Sequence, residues 1–147
     1  MTQELKTFQD FLHSHTFKVT QTRKLIFKEV FATQEVHPNA YEIYRRLKKK
    51  KKTVSLATIY RTLSLLVKSG LVSQIDLGES HSHYEPDIPK SGHGHLICLS
   101  CGVVKEFSNL QIQRTIGRVG KENEFQLDKF SIQVFGYCRK CKKRRGA

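Results

Sequence analysis

His93-Gly94-His95-Leu96-Ile97-Cys98-Leu99-Ser100-Cys101 joins two metal-ligand patterns of different character, an alternating His-x-His and a Cys-x-x-Cys. A second Cys-x-x-Cys, Cys138 and Cys141, follows far downstream. Four thiolates complete a tetrahedral shell and leave no position for substrate, so Cys98, Cys101, Cys138 and Cys141 are expected to hold a structural zinc ion, Zn2+. The two histidines pose a separate question. At i and i+2 on a strand they point to one side, and imidazole suits zinc, iron, nickel or cobalt. A second, working site is expected there.

Working outward, residues 96–99 and 103–107 read as strands around the first knuckle, about 109–123 as a helix weakened by Gly117 and Gly120, and 130–137 as a further strand. The expected result is a small α+β domain whose first and last strands are tied by the cysteines. A sheet this short is expected to bury a face or an edge against a second copy. Upstream, residues 86–92 hold two prolines, a lysine and a glycine and read as a hinge. The expected organisation is therefore 1–85, hinge 86–92, and 93–147.

The first of these segments reads as helices followed by a hairpin. Leu5, Phe8, Phe11 and Leu12 fall at helical spacing, and a second helix from about Thr20 carries Leu25, Ile26, Val30 and Phe31. Asn39 with Glu42 forms a box-like start for a third helix bearing Ile43, Tyr44 and Leu47. Ser55 caps a fourth, with Leu56, Ile59, Leu63 and Leu66 as its buried stripe and Gly70 at its end. Thr58, Tyr60, Arg61, Thr62 and Ser64 are left facing outward. Strands at 71–77 and 81–85, around a turn at Gly78-Glu79-Ser80, complete a winged helix-turn-helix, in which the helix from Ser55 enters the major groove. The lysine run 48–52 reads as a solvated, self-repelling loop that adds phosphate attraction.

A formal charge of +13 over 147 residues implies a polyanionic partner, and double-stranded DNA ranks ahead of a membrane because no lipidation motif or basic membrane-lying helix is obvious. Residues 1–10 do not resemble a signal peptide, so a cytoplasmic protein with reduced cysteines is expected rather than a disulfide-bonded one.

At this point the chain resembles the ferric uptake regulator family of bacterial metal-dependent repressors. The resemblance rests on Phe17-Lys18-Val19-Thr20-Gln21-Thr22-Arg23, on Ala57-Thr58-Ile59-Tyr60-Arg61-Thr62-Leu63, on residues 93–102 followed by Glu106-Phe107, and on Cys138 and Cys141. It implies a homodimer with an N-terminal winged helix and a C-terminal dimerisation domain, binding A/T-rich inverted repeats when loaded with metal. It implies a sensing site made of His37, Glu85, His93, His95 and Glu106, with one ion clamping the two halves. It also implies DNA contacts by Lys18 in a narrow minor groove, by Arg23 on phosphate, and by Thr58, Tyr60 and Arg61 on the recognition helix. Thymine methyls give Tyr60 an apolar target, and Arg is the commonest bidentate donor to bases.

Departures from the family pattern narrow the reading. Positions that hold a further site's ligands in many members are Gly92, Gly94, Gln113 and Phe130 here, so that site is expected to be absent. His81 and His83 are outside the usual pattern and are expected to be solvated on the wing, while His13 and His15 carry no usable signal. The chain has no fifth cysteine, against the zinc-sensing branch, and two Glu ligands where the peroxide-sensing branch typically has Asp. Iron(II), Fe2+, is therefore the expected regulatory ion, with Mn2+ next and Zn2+ or Co2+ able to substitute. Peroxide, zinc or manganese sensing are the alternatives within the family. Outside it stand a zinc enzyme, which lacks a strong general base or nucleophile motif and whose metal, filled by five protein ligands, would leave little room for substrate, and a metal-independent zinc-ribbon DNA-binding protein. No enzyme activity is expected.

Overall fold

The computed structural model describes residues 2–32, 37–87, 93–128 and 130–146. The chain divides into two compact units, residues 1–88 and 89–147.

In the first unit, helices α1 (Gln3–Ser14), α2 (Gln21–Phe31), α3 (Ala40–Lys49) and α4 (Leu56–Lys68) precede strands β1 (Val72–Ile75) and β2 (His83–Pro86). Each helix starts at a side chain that accepts one of its free amides: Thr2 from Leu5, Thr20 from Arg23, Asn39 from Glu42 and Ser55 from Thr58. At Asn39 the cap is reciprocal, since the Glu42 carboxylate accepts from the Asn39 amide at 3.0 Å. Helix α4 is the hub on which α2, α3 and β1 pack. It buries Ile59, Thr62, Leu63, Leu65 and Leu66 against Leu12, Ile26, Val30, Ile43 and Leu47.

Thr62 departs from expectation. It is 1% exposed rather than outward-facing. Its hydroxyl donates to the Thr58 carbonyl at 2.8 Å, which satisfies the polar atom within the helix and lets the methyl join the core. The lysine run also departs from a wholly solvated loop. Lys50 pairs with Glu29 of α2, whose side chain is 6% exposed, so one of the five lysines neutralises a buried carboxylate.

β1 and β2 form an antiparallel ribbon with Val72 opposite Pro86 and Ile75 opposite His83. Both strands are shorter at the tip than the alternation suggests. Asp76 accepts from the Gly78 amide at 2.9 Å, and this local turn takes the backbone out of the ladder. At the other end the Asp87 amide still donates to Leu71, at 2.8 Å, so pairing continues past the expected boundary at 85. Residues 88–92 of the expected hinge lie outside the described residues.

The second unit contains β3 (His93–Cys98), β4 (Val104–Ser108), α5 (Leu110–Glu122), β5 (Ile132–Gly136) and α6 (Arg139–Arg144). The sheet order is β4-β3-β5, antiparallel to β4 and parallel to β5. A parallel pair cannot be joined by a hairpin, and α5 supplies the crossover. It forms despite its two glycines because Asn109 accepts from both Gln111 and Ile112 at its start. Helix α6 was not expected, since six residues rich in Arg and Lys carry no apolar period. The core of this unit is thin. Ile97, Cys98 and Cys141 are buried, whereas Leu96, Leu99, Phe125, Val134 and Phe135 are exposed.

Candidate metal centres and nucleic-acid interface

Parallel pairing of β3 with β5 brings their C-terminal ends together, and with them the two cysteine knuckles. After β3 the chain turns sharply, Gly102 donating to the Cys98 carbonyl at 2.9 Å and Cys98 to Val103 at 3.0 Å. After β5, Cys138 stands at the start of α6 and Cys141 on its first turn, where the Lys142 amide donates to the Cys138 carbonyl at 2.8 Å. The four sulfur atoms lie within 4.8 Å of one another, and Cys101 and Cys138 are 3.7 Å apart. Tetrahedral zinc with Zn–S bonds of about 2.3 Å requires sulfur–sulfur edges of about 3.8 Å. A disulfide would require about 2.05 Å. All four are free thiols, and their geometry is that of a structural zinc site.

The thiols are not equivalent. The Cys138 amide donates to the Cys98 sulfur at 3.3 Å, and this contact, followed by one from Cys101, brings Cys98 down to about 6. Cys138 is also lowered, first by the Cys141 amide. For Cys101 the Val103 amide acts in the lowering direction, but the neighbouring thiols and burial outweigh it and push the group up to about 11. The amide contacts favour the thiolate form of Cys98, which is the form that binds a cation, and a zinc ion held by all four sulfurs would supply structural cross-linking there.

The five expected sensing ligands fall in two sets, one in each unit. In the first unit, the segment at Pro38 and Asn39 runs antiparallel to β2: Tyr84 donates to the Pro38 carbonyl at 3.0 Å, and Asn39 is bridged to His83. Carrying that register on by two residues sets His37 opposite Glu85. Both are buried, at 7% and 9% exposure. In the second unit, the register of β3 with β4 makes His95 and Glu106 direct partners. His93 lies two residues from His95 on the same face, their rings 5.0 Å apart and close to perpendicular. His95 is 1% exposed and Glu106 half-buried, so the carboxylate is not the solvent-facing residue of its strand.

Between the two histidines, Gly94 faces the opposite side and is paired with Phe107. A Cβ there would lie 2.4 Å from the Phe107 ring, so the aromatic fills the space a side chain would need. Gly94→Ala is expected to cost about 1–3 kcal/mol of stability through overpacking. Chemical denaturation of the zinc-loaded protein checks this, and an unchanged midpoint would show that the ring simply swings away. A carboxylate at this position would meet the same obstacle. Of the other positions expected to lack a further site's ligands, Gly92 lies outside the described residues, and Gln113 donates to Ser108 at 3.3 Å.

On α4, Tyr60 is 43% exposed and Arg61 exposed, while half-buried Thr58 sits on the first turn with its hydroxyl 2.8 Å from that of Ser55. Burial raises the Tyr84 phenol of the wing, and Tyr60 adds to the rise. Lys18 is exposed just before α2. Arg23 is tied into this segment, its guanidinium donating to the Lys18 carbonyl and lying 5.6 Å over the Phe17 ring. It therefore positions the Lys18 backbone.

The expectation of solvated wing histidines does not hold for His83, which is 8% exposed and 2.6 Å from the His37 carbonyl through Nδ1. Glu79, which sequence reading placed only in a turn, accompanies it. The carboxylate is held below its ordinary range, first by its hydrogen bond with His83.

The sequence profile of the ferric uptake regulator family matches residues 14–135. A ferric uptake regulation protein from Rhizobium leguminosarum bv. viciae is 31% identical over 136 residues, covering 92% of this chain and 94% of the relative. The peroxide operon regulator of Bacillus subtilis is 28% identical over 141 residues, 96% and 95% of the two chains. Among solved structures, the Helicobacter pylori ferric uptake regulator, described as having three functional metal binding sites, superposes with a TM-score of 0.82 at 25% identity, covering 95% of this chain and 91% of that one. Zinc-site geometry, winged-helix fold and whole-chain similarity agree, and the chain belongs to the ferric uptake regulator family of metal-responsive regulators.

Proposed function

We propose that this protein is an iron(II)-responsive repressor that binds A/T-rich inverted repeats of double-stranded DNA as a cytoplasmic homodimer when its regulatory metal is loaded. The observation that carries the reading is the pairing of an imidazole with a carboxylate in each unit, His37 opposite Glu85 and His95 opposite Glu106. Neither set fills an iron coordination sphere alone. One ion drawing on both sets, with His93, would fix the winged helix relative to the dimerisation half and so select one spacing of two recognition helices. A mixed set of nitrogen and carboxylate ligands accommodates iron(II) or manganese(II), with zinc(II) and cobalt(II) able to replace them. The exposed apolar side chains of the second unit, Leu96 beside Val134 among them, support burial against a second copy. No described helix is long and apolar enough to cross a membrane.

The test is to titrate iron(II), manganese(II) or zinc(II) into protein carrying only its structural zinc while following operator binding. Affinity that does not change with metal overturns the reading in favour of a metal-independent DNA-binding protein. Peroxide sensing is the second reading, favoured by the similarity to the Bacillus subtilis peroxide operon regulator. Hydrogen peroxide should leave DNA binding by the iron-loaded protein intact under the first reading and abolish it under the second.

On DNA, Tyr60→Ala is expected to lose about 1–3 kcal/mol of discrimination per base read, with little change on random sequence. Lys18→Ala should instead weaken all DNA and reduce the salt slope by about one unit. Equal losses on operator and random DNA for Tyr60→Ala would remove it from base reading.

A further inference from the structure

Three polar side chains of the wing converge on one point. Glu79 Oε2 lies 2.8 Å from His83 Nε2 and 2.9 Å from His81 Nε2, so a single carboxylate oxygen meets two imidazole nitrogens. The two rings are 5.2 Å apart. On its other side His83 Nδ1 is 2.6 Å from the His37 carbonyl. A carbonyl can only accept, so Nδ1 carries the proton and the Nε2 lone pair of the neutral ring faces Glu79.

Something positive must stand between that lone pair and the carboxylate. A proton on each Nε2 would serve, with His81 as its neutral Nε2–H tautomer, at the cost of a second proton and a positive charge on the buried His83 ring. A divalent cation satisfies all three groups with both rings neutral. The hydrogen bond from Nδ1 to a backbone carbonyl is the outer contact that fixes the tautomer and aim of metal-binding histidines. Burial is graded to match, with His83 buried, His81 half-buried and Glu79 exposed, so the point is anchored on the protein side and open to water on the other.

We infer that Glu79, His81 and His83 form a metal site in the wing, separate from the four-cysteine and sensing sites. It takes a borderline divalent ion, with water completing the shell. Two imidazoles, one carboxylate and no thiolate rank copper(II), nickel(II) and zinc(II) above iron(II) and manganese(II). The site lies wholly in the first unit and does not depend on how the sensing ligands are shared.

The test uses the full-length protein with its cysteine site loaded and counts bound zinc(II) after gel filtration, with nickel(II) as a second probe. Glu79→Gln and His81→Ala alter solvent-accessible groups and leave the buried His83 contact in place. Each is expected to bind one zinc fewer per chain than the parent, or to bind that equivalent at least about 100-fold more weakly. Because the readout is a difference of one equivalent, it holds whether or not the sensing site fills. In the parent, nickel(II) should broaden the His81 and His83 ring signals in the NMR spectrum, and Glu79→Gln should abolish the effect. Equal zinc stoichiometry and affinity in parent and both variants overturns the assignment. Loss in His81→Ala without loss in Glu79→Gln also overturns it, since that is how two surface imidazoles behave without a built site.

Discussion

Cys98→Ser or Cys141→Ser is expected to release the structural zinc and unfold the C-terminal unit. A serine hydroxyl does not ionise near neutral pH, so the substitution removes a ligand charge as well as a sulfur. Structural zinc contributes about 10–16 kcal/mol of apparent binding free energy in zinc-finger peptides, as much as the whole stability of an ordinary domain at about 5–15 kcal/mol. Little else in this unit offsets the loss, because its described core is a few residues around Ile97 and most of its large apolar side chains are exposed. Cys98 has a second role as acceptor for the Cys138 amide, so its removal also frees the start of α6. Zinc content and sedimentation measured together check the prediction: less than one zinc per chain and loss of the dimer are expected. A folded dimer retaining one zinc per chain in either single variant would show that the cysteines are not a four-ligand site.

The second large effect concerns sensing. His37→Ala and His95→Ala are each expected to abolish the metal response of DNA binding while the four-cysteine zinc stays bound. The wild-type response should lie in the usual coupling range of about 1–3 kcal/mol, roughly 5- to 150-fold in affinity. Linkage requires operator DNA to tighten regulatory metal binding by the same factor. The two residues are in different units, one opposite Glu85 and one opposite Glu106. Only an ion that uses both can be lost equally from either side. His95 is also deeply buried, so its alanine variant leaves a small cavity, and His93→Ala at the half-buried neighbouring position separates sensing from folding. A full metal response in either His37→Ala or His93→Ala would exclude the shared-ion mechanism.

Whatever is encoded within a few residues is legible in the chain itself. The Asn39–Glu42 box, the Ser55 cap and the Ile59, Leu63 and Leu66 stripe each appear as read, because capping and amphipathic burial act over one or two turns. The paired Cys-x-x-Cys spacing likewise announced a tetrathiolate, since three-residue spacing suits a tight turn or a first helical turn and little else in a reduced chain. Thr62 reads as outward-facing because its back-bond to the Thr58 carbonyl, which lets it behave as an apolar group, exists only in the folded helix, and α6 escapes sequence reading because its six residues carry no periodic apolar face.

Pairings across long separations came from folding alone. That His37 stands opposite Glu85 depends on the segment at Pro38 and Asn39 lying against β2, and no local pattern near either residue specifies it. Glu106 faces the same side as His95 because of the β3–β4 register, where a slip of one residue would have put Lys105 or Phe107 there instead. Lys50 found Glu29, and Glu79 found His81 and His83, through packing and a turn that the composition of those stretches does not express. The ligand types, the helix starts and the zinc knuckles are thus written in short-range chemistry. Which carboxylate meets which imidazole is set by strand register and helix packing, because only the folded backbone brings residues distant in the chain within the few ångströms that coordination and hydrogen bonding require.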